Sequence, residues 1–148
     1  MERRPLGRSG LTLPPLVFGG NVFGWTADET TSFRLLDRLV EAGFNAIDTA
    51  DIYSHWAPGH SGGESENVIG QWLKRRGRRD DVLILTKVGG EMPGQGKGLG
   101  RAWIRKEVEH SLKRLRTDYI DLYQFHTPDP QTPIDETLAS LDDLVRAG

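Results

Sequence analysis

The sequence predicts an α/β fold in which a parallel sheet is wrapped by helices. Two observations carry the prediction. Short apolar strands alternate four times with amphipathic helices, and the strands are continuously apolar, as buried parallel strands are, instead of alternating. Four consecutive strand-helix units joined by right-handed crossovers make half of an eight-stranded barrel, which takes about 250 residues. The pattern stops at Gly148, where a helix end would lead into a fifth strand. Residues 1–148 are therefore expected to form the N-terminal half of a barrel, with a hairpin over 3–14 and βα units over 16–148.

Around Arg8-Ser9-Gly10, two short apolar segments suggest a small β-hairpin turned by glycine. Leu16-Val17-Phe18, closed by Gly19-Gly20, reads as the first buried strand. Thr26 or Asp28 caps the next helix, whose apolar positions Phe33, Leu35, Leu36, Leu39 and Val40 recur at helical spacing until Gly43. The stretch Gly43 to Tyr53 then reads as a buried strand running out into a polar loop. A helix from about Glu64 to Arg76 places Val68, Ile69, Trp72 and Leu73 on one face. Val82 to Lys87 is the third strand, Arg101 to Leu115 the third helix, Tyr119 to His126 the fourth strand and Pro133 to Ala147 the fourth helix.

A net charge of -2 and a pI near 6.1 offer no bulk field for nucleic acid or a membrane surface, so neither is an expected partner. Without cysteine there are no disulfides or thiolate sites. No apolar run approaches the roughly 20 residues that span a bilayer, and no signal-peptide core follows Met1 to Arg4. The expectation is a soluble, cytoplasmic protein.

In a parallel sheet the carboxyl ends of the strands face one way, and chemistry gathers there. The polar residues at those ends are Asp48 and Tyr53 after the second strand, Lys87 on the third and His126 on the fourth. Together these residue types suit carbonyl reduction, in which a developing alkoxide needs a proton. A phenol that titrates near pH ~10 is a poor donor at neutral pH unless a nearby ammonium favours the phenolate. Lys87 would tune Tyr53, Asp48 would hold Lys87, and His126 would donate to or orient the substrate oxygen. Taken singly, each residue has a plainer reading: Asp48 as a turn starter, Lys87 as a solvated strand boundary, His126 as a turn residue.

Several stretches together resemble the aldo-keto reductase family. They are Leu6-Gly7-Arg8-Ser9-Gly10-Leu11, Gly43 through Tyr53, Gly63-Glu64-Ser65-Glu66, Thr86-Lys87, and Ser111 through Asp129. The resemblance implies a (β/α)8 TIM barrel with the N-terminal hairpin at its bottom, and NADPH as hydride donor to a small-molecule carbonyl substrate. It also implies a catalytic tetrad on Asp48, Tyr53, Lys87 and His126, with Tyr53 as general acid. Cofactor contacts from this half would come from Gly20, Asn21 and Asp48, with Tyr53 and His126 at the nicotinamide end. The longer loop from Ser54 to Gly63 is similar to the bacterial branch related to potassium-channel β subunits. In this family most contacts to the adenosine and phosphates come from loops after strands seven and eight, outside this sequence.

Other signals point elsewhere and are weaker. Gly94 to Gly100 lacks P-loop spacing and reads as a βα loop. His55 and His60 lack a carboxylate bracket, so no metal site is expected. Lys74 to Arg79 reads as a basic helix end partly neutralised by Asp80 and Asp81. Trp25 and Trp56, on loops at the catalytic end, are candidates for a substrate pocket, whereas Trp72 and Trp103 belong to helix packing. Two rival functions stand beside the reductase: a non-catalytic half-barrel whose open edges drive self-association, and a cofactor-sensing regulatory subunit.

Overall fold

The computed structural model describes residues 2–148. A hairpin of β1 (Arg4–Pro5) and β2 (Thr12–Leu13) is antiparallel and separate from the main sheet. Four parallel strands follow in simple order: β3 (Phe18–Gly19), β4 (Ala46–Asp48), β5 (Leu83–Val88) and β6 (Leu122–Phe125). Between and after them run α1 (Glu29–Glu41), α2 (Glu64–Arg76), α3 (Arg101–Leu115) and α4 (Ile134–Ala147). The hairpin sits at the amino ends of the strands, where Arg3 Nη1 donates to Asn45 Oδ1 at 2.9 Å, one residue before β4 begins.

The main core lies between the sheet and the helices. Phe23, Leu36, Ile47, Ile69, Trp72, Ile84 and Leu115 are all fully buried there. Trp72 is in this core as expected, and its indole N–H donates to Asp37 Oδ1 at 2.7 Å. Trp103 packs against a second cluster of Val88, Leu99 and Ile104. Asp28, and not Thr26, caps α1, accepting from the Thr31 N–H at 2.8 Å. The helices α2 and α3 come close together at Gly70, where a Cβ would sit 2.0 Å from the Arg114 carbonyl oxygen.

The first strand departs from expectation. Only Phe18 and Gly19 pair with β4, while Leu16 and Val17 are exposed. The reason is position: β3 is an edge of the sheet, with a neighbour on one side only. The opposite edge is β6, where Phe125 is also exposed, and α4 beyond it presents Ile134, Leu138 and Val145 to solvent. Among the described residues no helix is long and apolar enough to cross a membrane.

Candidate active site

The site is built where β4, β5 and β6 end. Past Asp48 the β4 backbone stays beside β5, because Thr49 N–H donates to Leu85 O at 2.8 Å and Asp51 N–H to Lys87 O at 3.2 Å. A turn closed by Tyr53 N–H on Ala50 O then brings the phenol over Lys87. On the other side, His126 N–H donates to Val88 O at 2.8 Å and extends the β5–β6 ladder by one residue. Ser54, directly after Tyr53, has φ of 73°, a left-handed conformation that costs a serine about 1 kcal/mol or more. Its hydroxyl offsets part of that cost by donating to Phe23 O at 2.8 Å.

Lys87 is the hub. Its ammonium donates to Asp48 Oδ2 at 2.5 Å, to Thr49 O at 2.9 Å and to Tyr53 Oη at 2.8 Å. Three acceptors use all three N–H bonds, so the head group has one orientation. Because the Tyr53 oxygen accepts from Lys87, its own hydrogen is left to be given to another oxygen. The Lys87 Nζ also lies 4.5 Å from the Tyr53 ring centroid. Asp48 is held on its second oxygen by Gln124 Nε2 at 3.3 Å.

His126 completes the group without joining the hydrogen-bond chain. Its ring stands edge-on to Tyr53 with centroids 5.6 Å apart, and its buried Nδ1 has no hydrogen-bond partner among the described residues. Burial first, and the Lys87 charge second, hold its pKa below the usual histidine value, while Asp48 pulls the other way. The imidazole is therefore neutral at pH 7. A cavity of about 410 Å³ opens beside it, bounded by Phe125, Thr127, Asp129 and Ile134. The larger groove, about 950 Å³, lies far from this chemistry between the carboxyl ends of α2 and α3, and nothing at its rim includes the four site residues.

Trp25 and Trp56 are exposed and meet edge to face, with centroids 5.6 Å apart; Trp56 is 6.1 Å from Tyr53. They form an aromatic wall next to the phenol. His55 and His60 instead bond backbone carbonyls through Nδ1, His55 to Ile52 O and His60 to Ser54 O. Asn21 is exposed just past β3. Gly20 is buried, where its carbonyl accepts from Ser65 Oγ and a Cβ would come within 2.9 Å of Asp48 O.

The sequence reading missed Gln124, although two signals mark it. It pairs in register with Lys87, and it lies two residues before His126, hence on the same face of β6. It also missed the contacts of Ser65 with Gly20 and Thr49, which join segments 16 and 45 residues apart.

A parallel βα sheet carries a Tyr-Lys-Asp cluster with a His beside it at the carboxyl ends of its strands, the end at which barrels of this class keep their polar sites. The chain belongs to the aldo/keto reductase family, whose model matches residues 15–148. It is 41% identical over its whole length to the uncharacterised oxidoreductase YrpG of Bacillus subtilis, covering 47% of that protein. It is 37% identical, also over its whole length, to a probable voltage-gated potassium channel subunit beta of Oryza sativa subsp. japonica, covering 44% of it. The holo form of aldo-keto reductase AKR11C1 from Bacillus halodurans superposes on the whole chain with a TM-score of 0.85 at 40% identity, over 47% of its own length. The fold is thus a partial TIM barrel of the aldo-keto reductase type, and the chain spans just under half the length of these relatives.

Proposed function

We propose that this chain carries the proton-delivery part of an NADPH-dependent oxidoreductase that reduces an aldehyde or ketone to its alcohol. The observation that carries the reading is the Lys87 ammonium, fixed between Asp48 and Tyr53 at 2.5 and 2.8 Å. As the substrate oxygen gains negative charge, Tyr53 gives it the phenolic proton. Lys87 stabilises the phenolate left behind, and Asp48, Gln124 and the Thr49 carbonyl keep Lys87 in place. Neutral His126 orients the substrate oxygen from the other side.

The residues at the mouth fit the nicotinamide end of such a cofactor. Asn21 is exposed, Asp48 and Tyr53 are half-buried, and His126 has a ring nitrogen without a hydrogen-bond partner among the described residues. Asn21, Asp48, Tyr53 and His126 would hold it, with Gly20 contributing through its backbone; NADPH, when bound, supplies the hydride. Trp25 and Trp56 favour a flat aromatic or apolar carbonyl substrate.

As a domain, residues 1–148 are read as the N-terminal half of the barrel. The exposed Phe125, Ile134, Leu138 and Val145 beside the open β6 edge favour closure by four more strands, from further polypeptide or from a second copy. Light scattering on the 148-residue chain tests the second copy: a dimer supports it and a monomer excludes it. For the reaction itself, the protein is incubated with NADPH and an aromatic aldehyde. Alcohol formed in step with NADPH consumed supports the reductase. Cofactor binding without consumption would instead favour a sensing subunit, the role suggested by the channel-subunit relative.

A further inference from the structure

The first turn of α2 contains two fully buried polar side chains, Ser65 and Glu66, that take no part in the chemistry above. Ser65 Oγ donates to Gly20 O at 2.7 Å and lies 2.8 Å from Thr49 Oγ1. A serine has one hydroxyl hydrogen, so with Gly20 receiving it, Thr49 must be the donor in the second bond. Glu66 Oε1 accepts from Thr86 Oγ1 at 2.5 Å, and its other oxygen accepts from Arg114 Nε at 2.6 Å. Thr49 and Thr86 are themselves fully buried.

The two threonines are adjacent to the ion pair. Thr49 follows Asp48 and offers its carbonyl to Lys87 Nζ; Thr86 precedes Lys87. Side chains alternate along a strand, so Thr86 faces α2 while Lys87 faces the site. One helical turn thus grips β4 and β5 from behind, at the residues next to the two charges. Arg114 is fixed against the same turn, since a Cβ on Gly63 would fall 2.5 Å from its Cδ. Burying this many polar groups costs stability relative to an apolar contact unless every bond is made, and these bonds are made.

We infer that Ser65 and Glu66 are positioning residues that set the spacing of β4 and β5, and through it the placement of Lys87 against Asp48 and Tyr53. The inference rests on the proposed role of Lys87 in proton delivery, and its test has one arm that needs no turnover. Lys87 Nζ lies 4.5 Å from the Tyr53 ring centroid, so the adjoining ε-methylene protons are expected to be displaced by its ring current. Lys106 sits 4.9 Å from the Trp103 ring, which leaves Lys74, Lys97 and Lys113 as the reference signals.

The variants are Ser65→Ala, Thr86→Val and Thr86→Ser. Thr86→Val keeps the shape and deletes the donor, whereas Thr86→Ser keeps the donor. In Ser65→Ala and Thr86→Val the Lys87 signal is expected to move towards those of Lys74, Lys97 and Lys113, and in Thr86→Ser to stay. The kcat for aldehyde reduction is expected to fall about tenfold or more in the first two, with KM for NADPH and aldehyde within about twofold. A Lys87 signal unmoved in both would overturn the inference, even if melting temperatures fall. If no variant and no wild-type sample turns over, the proposed reaction fails while the signal still decides the positioning role.

Discussion

Replacing Asp51 by Asn is expected to stabilise the protein, and increasingly so as pH rises. Asp51 is fully buried, and neither carboxyl oxygen meets the geometry of a full hydrogen bond. The nearby cation, Arg114, is committed to Glu66 at 2.6 Å and Glu107 at 3.3 Å. Burial first, then the charges of Glu66 and Glu107, push the Asp51 pKa up to about 8, with partial relief from the Ile52 N–H and Arg114. The folded state therefore keeps a proton that the unfolded chain, titrating near pH ~4, releases.

The sign follows from linkage. Between about pH 4 and about pH 8 the folded state binds one more proton than the unfolded state, so stability falls as pH rises, by about 1.4 kcal/mol per unit from this group. Asn has the shape of the protonated acid and removes that slope. At pH 7 the variant should be more stable by roughly 2–4 kcal/mol, or roughly 4–16 °C in melting temperature. Near pH 4 the two proteins should melt together. Urea and thermal melts across this range make the comparison, and parallel slopes for wild type and Asp51→Asn would refute the claim that the carboxyl is neutral in the fold.

Three further outcomes are expected. Gly70→Ala places a methyl against the Arg114 carbonyl and should cost about 3 kcal/mol or more, read by urea titration; a change within experimental error would mean the α2–α3 crossing is looser than described. Asp121→Ala strips the carboxylate that accepts from Arg79 Nη2 at 2.6 Å and from Ile84 N–H at 2.8 Å, both partly buried, and should cost roughly 2–4 kcal/mol. Asp121→Asn, which still accepts from Ile84, should lose less. Asp28→Ala should lower the melting temperature at neutral pH, and the difference should shrink in acid: the Thr31 N–H bond holds the Asp28 pKa down, so its stabilisation disappears as pH falls through that lowered value.

Much of the fold was legible in the sequence because its signals are local. Continuous apolar runs gave β4, β5 and β6, and the glycine-rich loop ending at Gly100 marked the start of α3, which spans Arg101–Leu115 as expected. Leu16 and Val17 misled because an edge strand and a central one share the same apolar pattern; only pairing partners distinguish them. Asp48, Tyr53 and Lys87 stood out because each lies where a strand runs out, and they do meet. What the sequence did not show was the support behind them. Gln124 reaches Asp48 across 76 residues and Glu66 reaches Arg114 across 48, while Asp51 is surrounded by carboxylates from two helices. The first arises from the order of the strands in the sheet and the others from the packing of α2 and α3, and no periodicity announces them.

The most direct measurement is the rate of NADPH oxidation with an aromatic aldehyde by wild type and Tyr53→Phe side by side, with NADPH affinity measured for both. The phenylalanine keeps the ring and removes the only proton that Lys87 leaves free to transfer. A loss of about a hundredfold or more in rate, with affinity within about twofold, is the expected result. Equal rates in the two proteins, including no turnover in either, would contradict a proton-delivering role for Tyr53.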